Sequence, residues 1–270
     1  MRRLLAVLLI LGFLLAGCGG NADTDNQFVV GMECDYAPFN WTALEQGEHG
    51  IAISGGGYAD GYDVMIAQKI ADSLGKELVI KKIAWEGLQP ALEANDIHAI
   101  IAGMTANPDR EMNGDFTTPY YESEMVMIVR KADALDREAH LTDFSGKNVV
   151  GQIGTNYDDI IDQIPSVNHH TPLKTYPLMI YALQTGEVDA ITAELPVAIG
   201  ATQANDDLAI VYFEDGYGFD IDTTVSICLK EGTRDGDFFK AVQSALDAIS
   251  EDDRVNMMLD ATNRQPSSEE

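Results

Sequence analysis

The sequence has 270 residues, 46% of them hydrophobic, which is enough for a buried core in one large or two medium domains. Its 44 Asp and Glu against 17 Lys and Arg give a formal charge of −27, a surface that repels phosphate backbones and excludes nucleic acid as a partner. Three cysteines without a Cys-x-x-Cys or other zinc-like spacing exclude a structural zinc site, and neither a metal nor another cofactor is expected.

The chain opens with "MRRLLAVLLILGFLLAGC", in which Arg2 and Arg3 precede the apolar run Leu4–Leu15 and a group of small residues. That run is shorter than the roughly 20 residues of a spanning helix, so it reads as an export signal over residues 1–17. "LAGC" at Leu15–Cys18 resembles a bacterial lipobox, which makes Cys18 the lipid-bearing residue; an ordinary secretory signal with an incidental cysteine is the alternative. Residues 18–26 then form a polar tether. Nothing beyond residue 26 reads as a membrane span. Cys34 and Cys228 fit a disulfide, which export permits, and fit two lone buried thiols equally well.

From Gln27 strands and helices alternate. "FVVGME" is a short apolar strand leading into the turn region "CDYAPFNW", and "ISGGGYADG" is a loop or hairpin. "GYDVMIAQKIADSLGK" carries Val64, Ile66, Ala67, Ile70, Ala71 and Leu74 at helical spacing and stops at Gly75. Strand "ELVIKKIAW", helix "EGLQPALEAND", strand "IHAIIAGM" and the short helix "NPDREMNG" come next. This βαβα order predicts parallel strands covered by helices. A second block begins after "DFTTPYYESEMVMIVRK": a strand Val149–Ile153, a Gly-rich turn and a helix, then helix, strand Val188–Ala193 and helix, then strands "LAIVYF" and "TTVSICLKEG". The segment 237–262 reads as one amphipathic helix with Phe238, Phe239, Val242, Ala245, Leu246 and Ile249 on a common face. A polar tail closes the chain.

"ALEANDIHAIIA" (Ala91–Ala102) and "ALQTGEVDAITA" (Ala182–Ala193) align without a gap. Two related lobes produce such an echo, and so does convergence of any helix–turn–strand unit. Ligands of open α/β sheets sit at the carboxyl ends of strands, so the residues just past each copy are the candidates for ligand contact. After the first copy comes "GMTANPDR". Asn107 suits an N-cap and Pro108 the first helical position, leaving free amides beside Thr105 and Arg110, a set suited to a carboxylate. A surface arginine neutralised by Asp109 or Glu111 is the plainer reading. After the second copy comes Glu194, which suits an ammonium group or merely the first turn of a helix. "GTNYDD" repeats the first arrangement, with Thr155 or Asn156 as the cap. Tyr36, Trp41 and Trp85 stand at strand ends or turns, where aromatics flank a ligand or pack in a core. His49, His98, His140, His169 and His170 match no strand-end site and are read as surface or core residues.

Taken in order, "VGMECDYAPFNW", the stretch from "GGYADGYDV" to "TTPYYES", and "VDAITAELP" resemble the family 3 bacterial solute-binding proteins, the amino-acid receptors of polar amino-acid ABC transporters, over Gln27–Thr262. The resemblance implies a periplasmic-binding-protein-like type II α/β fold: two α/β lobes joined by a two-strand hinge, with ligand in the interlobe cleft. It implies a first lobe from residues 27–121, a hinge at 122–124, a second lobe at 125–218, a return crossing into the first lobe over 219–262, and a tail at 263–270. Arg110 then matches the residue that holds the ligand α-carboxylate, with Thr105 and Gly103 in the supporting loop. Thr155 and Asn156 match the second-lobe helix start, Glu194 the acidic partner of the α-ammonium, Trp85 and Tyr36 the aromatic walls, and Glu33 an acidic position near the ligand side chain. Glu33 and Glu194 are each one methylene longer than the commoner Asp. Met104 and Tyr157 stand where smaller or polar residues are frequent.

The implied function is capture of a free L-amino acid, polar or cationic, and its delivery to a membrane permease with its ATPase. The implied protein is a monomer outside the cytoplasm, tied to the cell membrane through Cys18, with no catalysis and no metal. Two other readings compete: a periplasmic cyclohexadienyl or arogenate dehydratase-like enzyme using Glu194 or Glu33 as general acid, and a sensory ectodomain working with a separate partner.

Overall fold

A computed structural model describes residues 26–266. The signal, Cys18 and the tether up to residue 25 lie outside the described residues, as do the last four. Two five-stranded mixed sheets share one design. In the first, strand Gln27–Met32 lies between Glu77–Lys82 and Ala99–Ile100 and runs parallel to both. Val225–Lys230 and Gly114–Tyr121 extend that sheet antiparallel to their neighbours in turn. In the second, Asn148–Val150 lies parallel between Asn168–His169 and Ala190–Glu194, and Met125–Arg130 and Leu208–Val211 continue it antiparallel. A four-stranded antiparallel sheet, residues 35–60, flanks the first lobe and includes the expected hairpin between Ile51 and Asp60.

The echo occupies equivalent places in the two sheets. Ala99, in the central strand of the first sheet, pairs with Val30, and Ala190, in the central strand of the second, pairs with Val149. Each strand comes after a helix, Trp85–Glu93 or Tyr176–Thr185, that covers its own sheet. Small apolar side chains are needed at these central positions because helices press on both faces.

The chain passes between sheets at Glu122–Glu124 and returns at Asp222–Thr224, and the passages lie side by side where the Thr223 hydroxyl donates to the Ser123 carbonyl. Phe219 and Ile221 still pack into second-lobe clusters.

Three local readings need correction. Strand Val149–Ile153 stops at Val150, because Gly151 packs directly on the backbone of Asp158: a Cβ there would lie 2.5 Å from the Asp158 Cα. The long C-terminal helix is two helices, Asp237–Asp247 and Glu251–Arg264, broken at Ser250, whose hydroxyl accepts the Asp253 N–H at 3.1 Å. Phe238 is the exception on the proposed apolar face; it is 36% exposed and meets Phe28 and His98 only at their edges.

Cys34 and Cys228 are free and fully buried, and burial pushes both thiols up to about 12. A thiol held that far from ionisation is a poor nucleophile. An aromatic disulfide reagent is therefore expected to modify both only after denaturation; prompt reaction of either in the folded protein contradicts this packing.

Candidate functional site

The carboxyl ends of both sheets face a common cleft. From the first lobe Glu33, Tyr36, Trp85, Gly103, Thr105 and Arg110 line one small cavity there, and from the second Thr155 and Asn156 do. Of the ligand residues expected from the sequence, Glu194 alone stands behind this lining. It ends strand Ala190–Glu194 and is fully buried, one oxygen accepting from the Tyr36 hydroxyl and the other from Ser123 at 2.8 Å.

Arg110 sits in a single-turn helix, Pro108–Glu111, whose Asn107 cap accepts the Arg110 N–H at 2.8 Å. One turn carries little dipole and that amide is already used, so anion attraction here rests on the guanidinium. Its Nη1 donates to the Thr105 carbonyl at 2.9 Å and its Nη2 to the Gly154 carbonyl at 3.3 Å, while the group lies 5.1 Å over the Trp85 ring. Neither Asp109 nor Glu111 pairs with it, and among the described residues no ion pair includes it. Desolvation lowers its pKa from the usual arginine value, the mark of a cation held without an anion.

Thr155 stands at the start of the helix Asn156–Asp159, but its hydroxyl donates backward to the Gln152 carbonyl at 2.8 Å rather than capping the amides. Asn156 accepts from Asn107 across the cleft at 2.6 Å. Trp85 donates its indole N–H to Gly154 at 3.0 Å. The lobes thus meet through polar contacts at the cleft mouth and through Tyr36 at its base, whose ring lies 5.1 Å from Tyr176. The space among these residues is about 20 Å³, room for about one water and too small for an amino acid in this arrangement of the lobes.

Tyr36 does more than form a wall. It stacks on Phe39 with centroids 5.1 Å apart and planes 7° from parallel, which aims its hydroxyl at Glu194. Gly103 takes a left-handed φ of 62°, and a Cβ there would come within 2.8 Å of the Tyr36 ring, so both backbone conformation and space require glycine.

Two residues outside the expected set join the cavity. Gln152 donates to Glu33 at 2.8 Å and to the Lys174 carbonyl at 2.9 Å, bridging the lobes. Tyr157 is buried with its hydroxyl beside Thr105 and Glu194 but in hydrogen-bonding geometry with neither. A buried hydroxyl without a well-formed hydrogen bond is costly, and this one lies on the wall of the cleft. Glu33 and Glu194 are each pushed up to about 7, mainly by burial, against the opposing effect of their hydrogen-bond donors. The cleft therefore joins an unneutralised guanidinium to two carboxyl groups that a cationic partner would ionise. The histidines lie elsewhere: His98 accepts the Val29 N–H at 3.0 Å, and the other four lie beside surface carboxylates.

Among the described residues no helix is long and apolar enough to cross a membrane. The sequence model of a family described as bacterial extracellular solute-binding proteins, family 3, matches residues 28–261. The L-cystine-binding protein TcyJ of Escherichia coli (strain K12) is 29% identical over 229 residues, 83% of this chain and 77% of its own. ABC transporter arginine-binding protein 1 of the same organism is 26% identical over 78% of this chain and 84% of its own. Among solved structures, an amino acid ABC transporter substrate-binding protein from Streptococcus pneumoniae bound to L-arginine superposes with a TM-score of 0.77 at 25% identity, covering 89% of this chain and 95% of that one. The arginine-bound form of truncated ArgBP from T. maritima gives 0.70 at 27% identity, covering 84% and 98%.

Proposed function

The chain belongs to the bacterial extracellular solute-binding proteins of family 3, and from that premise we propose that its cleft captures one free L-amino acid, polar or cationic, for an ABC importer. The observation that carries the reading is the pair of opposed charges at equivalent strand ends, Arg110 after one echo and Glu194 after the other, with Tyr157 facing both. An α-amino acid is a zwitterion, and a fork-shaped cation with a buried acid fits its two ends. Glu33, held by Gln152, stands where the ligand side chain would extend, and its carboxylate favours a cationic or hydrogen-bond-donating group. Relatives that bind arginine and L-cystine fit that preference.

On this reading ligand docks on the first lobe through Arg110, Thr105, Tyr36 and Trp85, and the second lobe then adds Thr155, Asn156, Tyr157 and Glu194. Ligand favours the closed arrangement to the extent that it touches both lobes, and the permease distinguishes closed from open. Lobe boundaries near residues 122–124 and 222–224, a lipid anchor on Cys18, a monomeric state outside the cytoplasm and the absence of turnover belong to the same proposal. The relatives give no support to the dehydratase alternative.

A thermal-shift screen tests the ligand class. Protein unfolded and refolded to strip bound ligand is mixed with each of the twenty amino acids and with L-cystine. A ligand at a hundred times its Kd stabilises by about 2.7 kcal/mol, or roughly 5–10 °C for a chain of this size. Basic amino acids are expected to give the largest shifts. A flat response to all of them refutes the amino-acid reading, and a response confined to acidic amino acids refutes the role of Glu33.

A further inference from the structure

One buried carboxylate outside the cavity connects the two loops that form its first-lobe wall. Asp63 begins the helix Tyr62–Leu74, is fully buried and accepts from neutral donors on both oxygens. Its Oδ2 accepts from Asn40 Nδ2 at 2.7 Å, and Asn40 Oδ1 in turn accepts the Cys34 N–H at 2.7 Å. Its Oδ1 accepts from the Tyr120 hydroxyl at 2.7 Å, and that hydroxyl accepts the Gly103 N–H at 3.0 Å. The two arms end on the two turns that carry ligand residues: Cys34 lies between Glu33 and Tyr36, and Gly103 precedes Thr105. Both end residues hold left-handed backbones, φ 57° at Cys34 and 62° at Gly103. For a non-glycine residue that conformation is disfavoured and persists only where surroundings enforce it.

The polarity of the network is one-directional. Each arm delivers a donor to Asp63; burial pushes its carboxyl up to about 7 against the pull of those donors, and the ionised form, acceptor-only on two oxygens, satisfies both arms at once. An asparagine offers one acceptor and one donor group, which forces one arm to break or reverse. Reversal is costly in the Tyr120 arm, because a hydroxyl that accepted an asparagine N–H as well as the Gly103 N–H would have to turn its own proton away and lose the acceptor it now has in Asp63. It is costly in the Asn40 arm too, because a flipped Asn40 amide would turn its NH2 toward the Cys34 N–H. The helix start is itself pinned to the same region, Tyr62 and Asp63 donating their N–H groups to the Pro38 and Phe39 carbonyls at 3.0 and 2.8 Å.

We propose that Asp63 is the positioning residue of the binding site, setting the Glu33–Tyr36 turn through Asn40 and the Gly103–Thr105 turn through Tyr120 so that both present their ligand groups together. The proposal rests on the amino-acid reading of the cleft for its functional half and on the hydrogen-bond network alone for its structural half.

The test uses Asp63→Asn and Tyr120→Phe in the full chain, with Leu246→Ala, a buried helix position outside the hydrogen-bond network, as a control for general destabilisation. Amide hydrogen exchange of Cys34 and Gly103 is measured together with binding of labelled L-arginine. Asp63→Asn is expected to speed exchange at both amides at least tenfold and to weaken binding tenfold or more. Tyr120→Phe should speed exchange at Gly103 while leaving Cys34 protected, and it carries the test should the Asp63 variant fail to fold. Leu246→Ala lowers the melting temperature but leaves the affinity and the ratio of these two amides to their neighbours unchanged. Equal exchange in variants and wild type overturns the proposal, as does a loss of affinity that tracks melting temperature alone. If the wild-type protein itself ignores L-arginine, the amino acid with the largest thermal shift takes its place; if none shifts, the amino-acid reading fails and the exchange arm still decides the role of Asp63.

Discussion

Arg110→Ala is expected to raise the Kd for the bound amino acid at least about 30-fold while leaving the fold intact. Truncating one partner of a buried, hydrogen-bonded charge pair costs about 2–5 kcal/mol, and each 1.4 kcal/mol is about tenfold in affinity. The ligand-free protein loses little, because Arg110 contacts two carbonyls and the Trp85 ring but no carboxylate. Removing a cation that is desolvated without an anion even relieves a penalty in that state. The expected signature is therefore a large loss of binding with an unchanged or slightly higher melting temperature. Arg110→Lys should recover part of the loss, since lysine restores the charge but not the planar fork or the stacking on Trp85. Calorimetry on refolded protein measures all three; a Kd within threefold of wild type for the alanine variant removes Arg110 from the carboxylate site.

How far the sequence reveals this site depends on where each contact originates. The strand ends before Gly103 and at Glu194 are legible because a buried parallel strand announces itself by an apolar run, and the echo marks the second copy. Thr105 and Arg110 are placed locally by the first of these ends, and Trp85 by the end of strand Glu77–Lys82. Gln152 and Tyr157 are not legible, because their roles depend on the opposite lobe: Gln152 matters through Glu33, 119 residues away, and Tyr157 through the space between Thr105 and Glu194. The second function of Tyr36 is hidden for the same reason, its hydroxyl reaching a partner 158 residues on. The break at Ser250 is a different failure. Hydrophobic spacing runs through it, yet Ser250 with Asp253 three residues later is a visible helix-start pattern that the periodicity overrode. Asp63 reads as one more polar residue at a helix start, and nothing local tells that it is buried with donors on both oxygens.

Glu194→Gln should weaken binding about 30-fold or more and change how affinity depends on pH. The ligand-free carboxyl is pushed up to about 7 by burial, above its ordinary 4.5, so below neutral pH the closed protein holds it protonated. For a folded-state pKa that is raised, the associated stability is present below the unfolded value and is lost as pH rises through about 7. A ligand ammonium reverses the preference by favouring the ionised form. Binding near pH 6 must then release a proton, and affinity rises with pH between about 5 and 7, by at most tenfold per unit for one group. Above that window the carboxylate is already ionised and the slope vanishes. Glutamine keeps the acceptor for Tyr36 or Ser123 but cannot ionise, so the slope assigned to Glu194 disappears along with most of the affinity. Glu33, also pushed up to about 7, leaves a residual slope, largest for ligands with a cationic side chain and smallest for neutral ones. Calorimetry at pH 6 in buffers of different ionisation enthalpy counts the protons directly. Wild-type affinity that is flat from pH 5.5 to 7.5, or an equal slope in Glu194→Gln, would show that Glu194 does not meet the ammonium group.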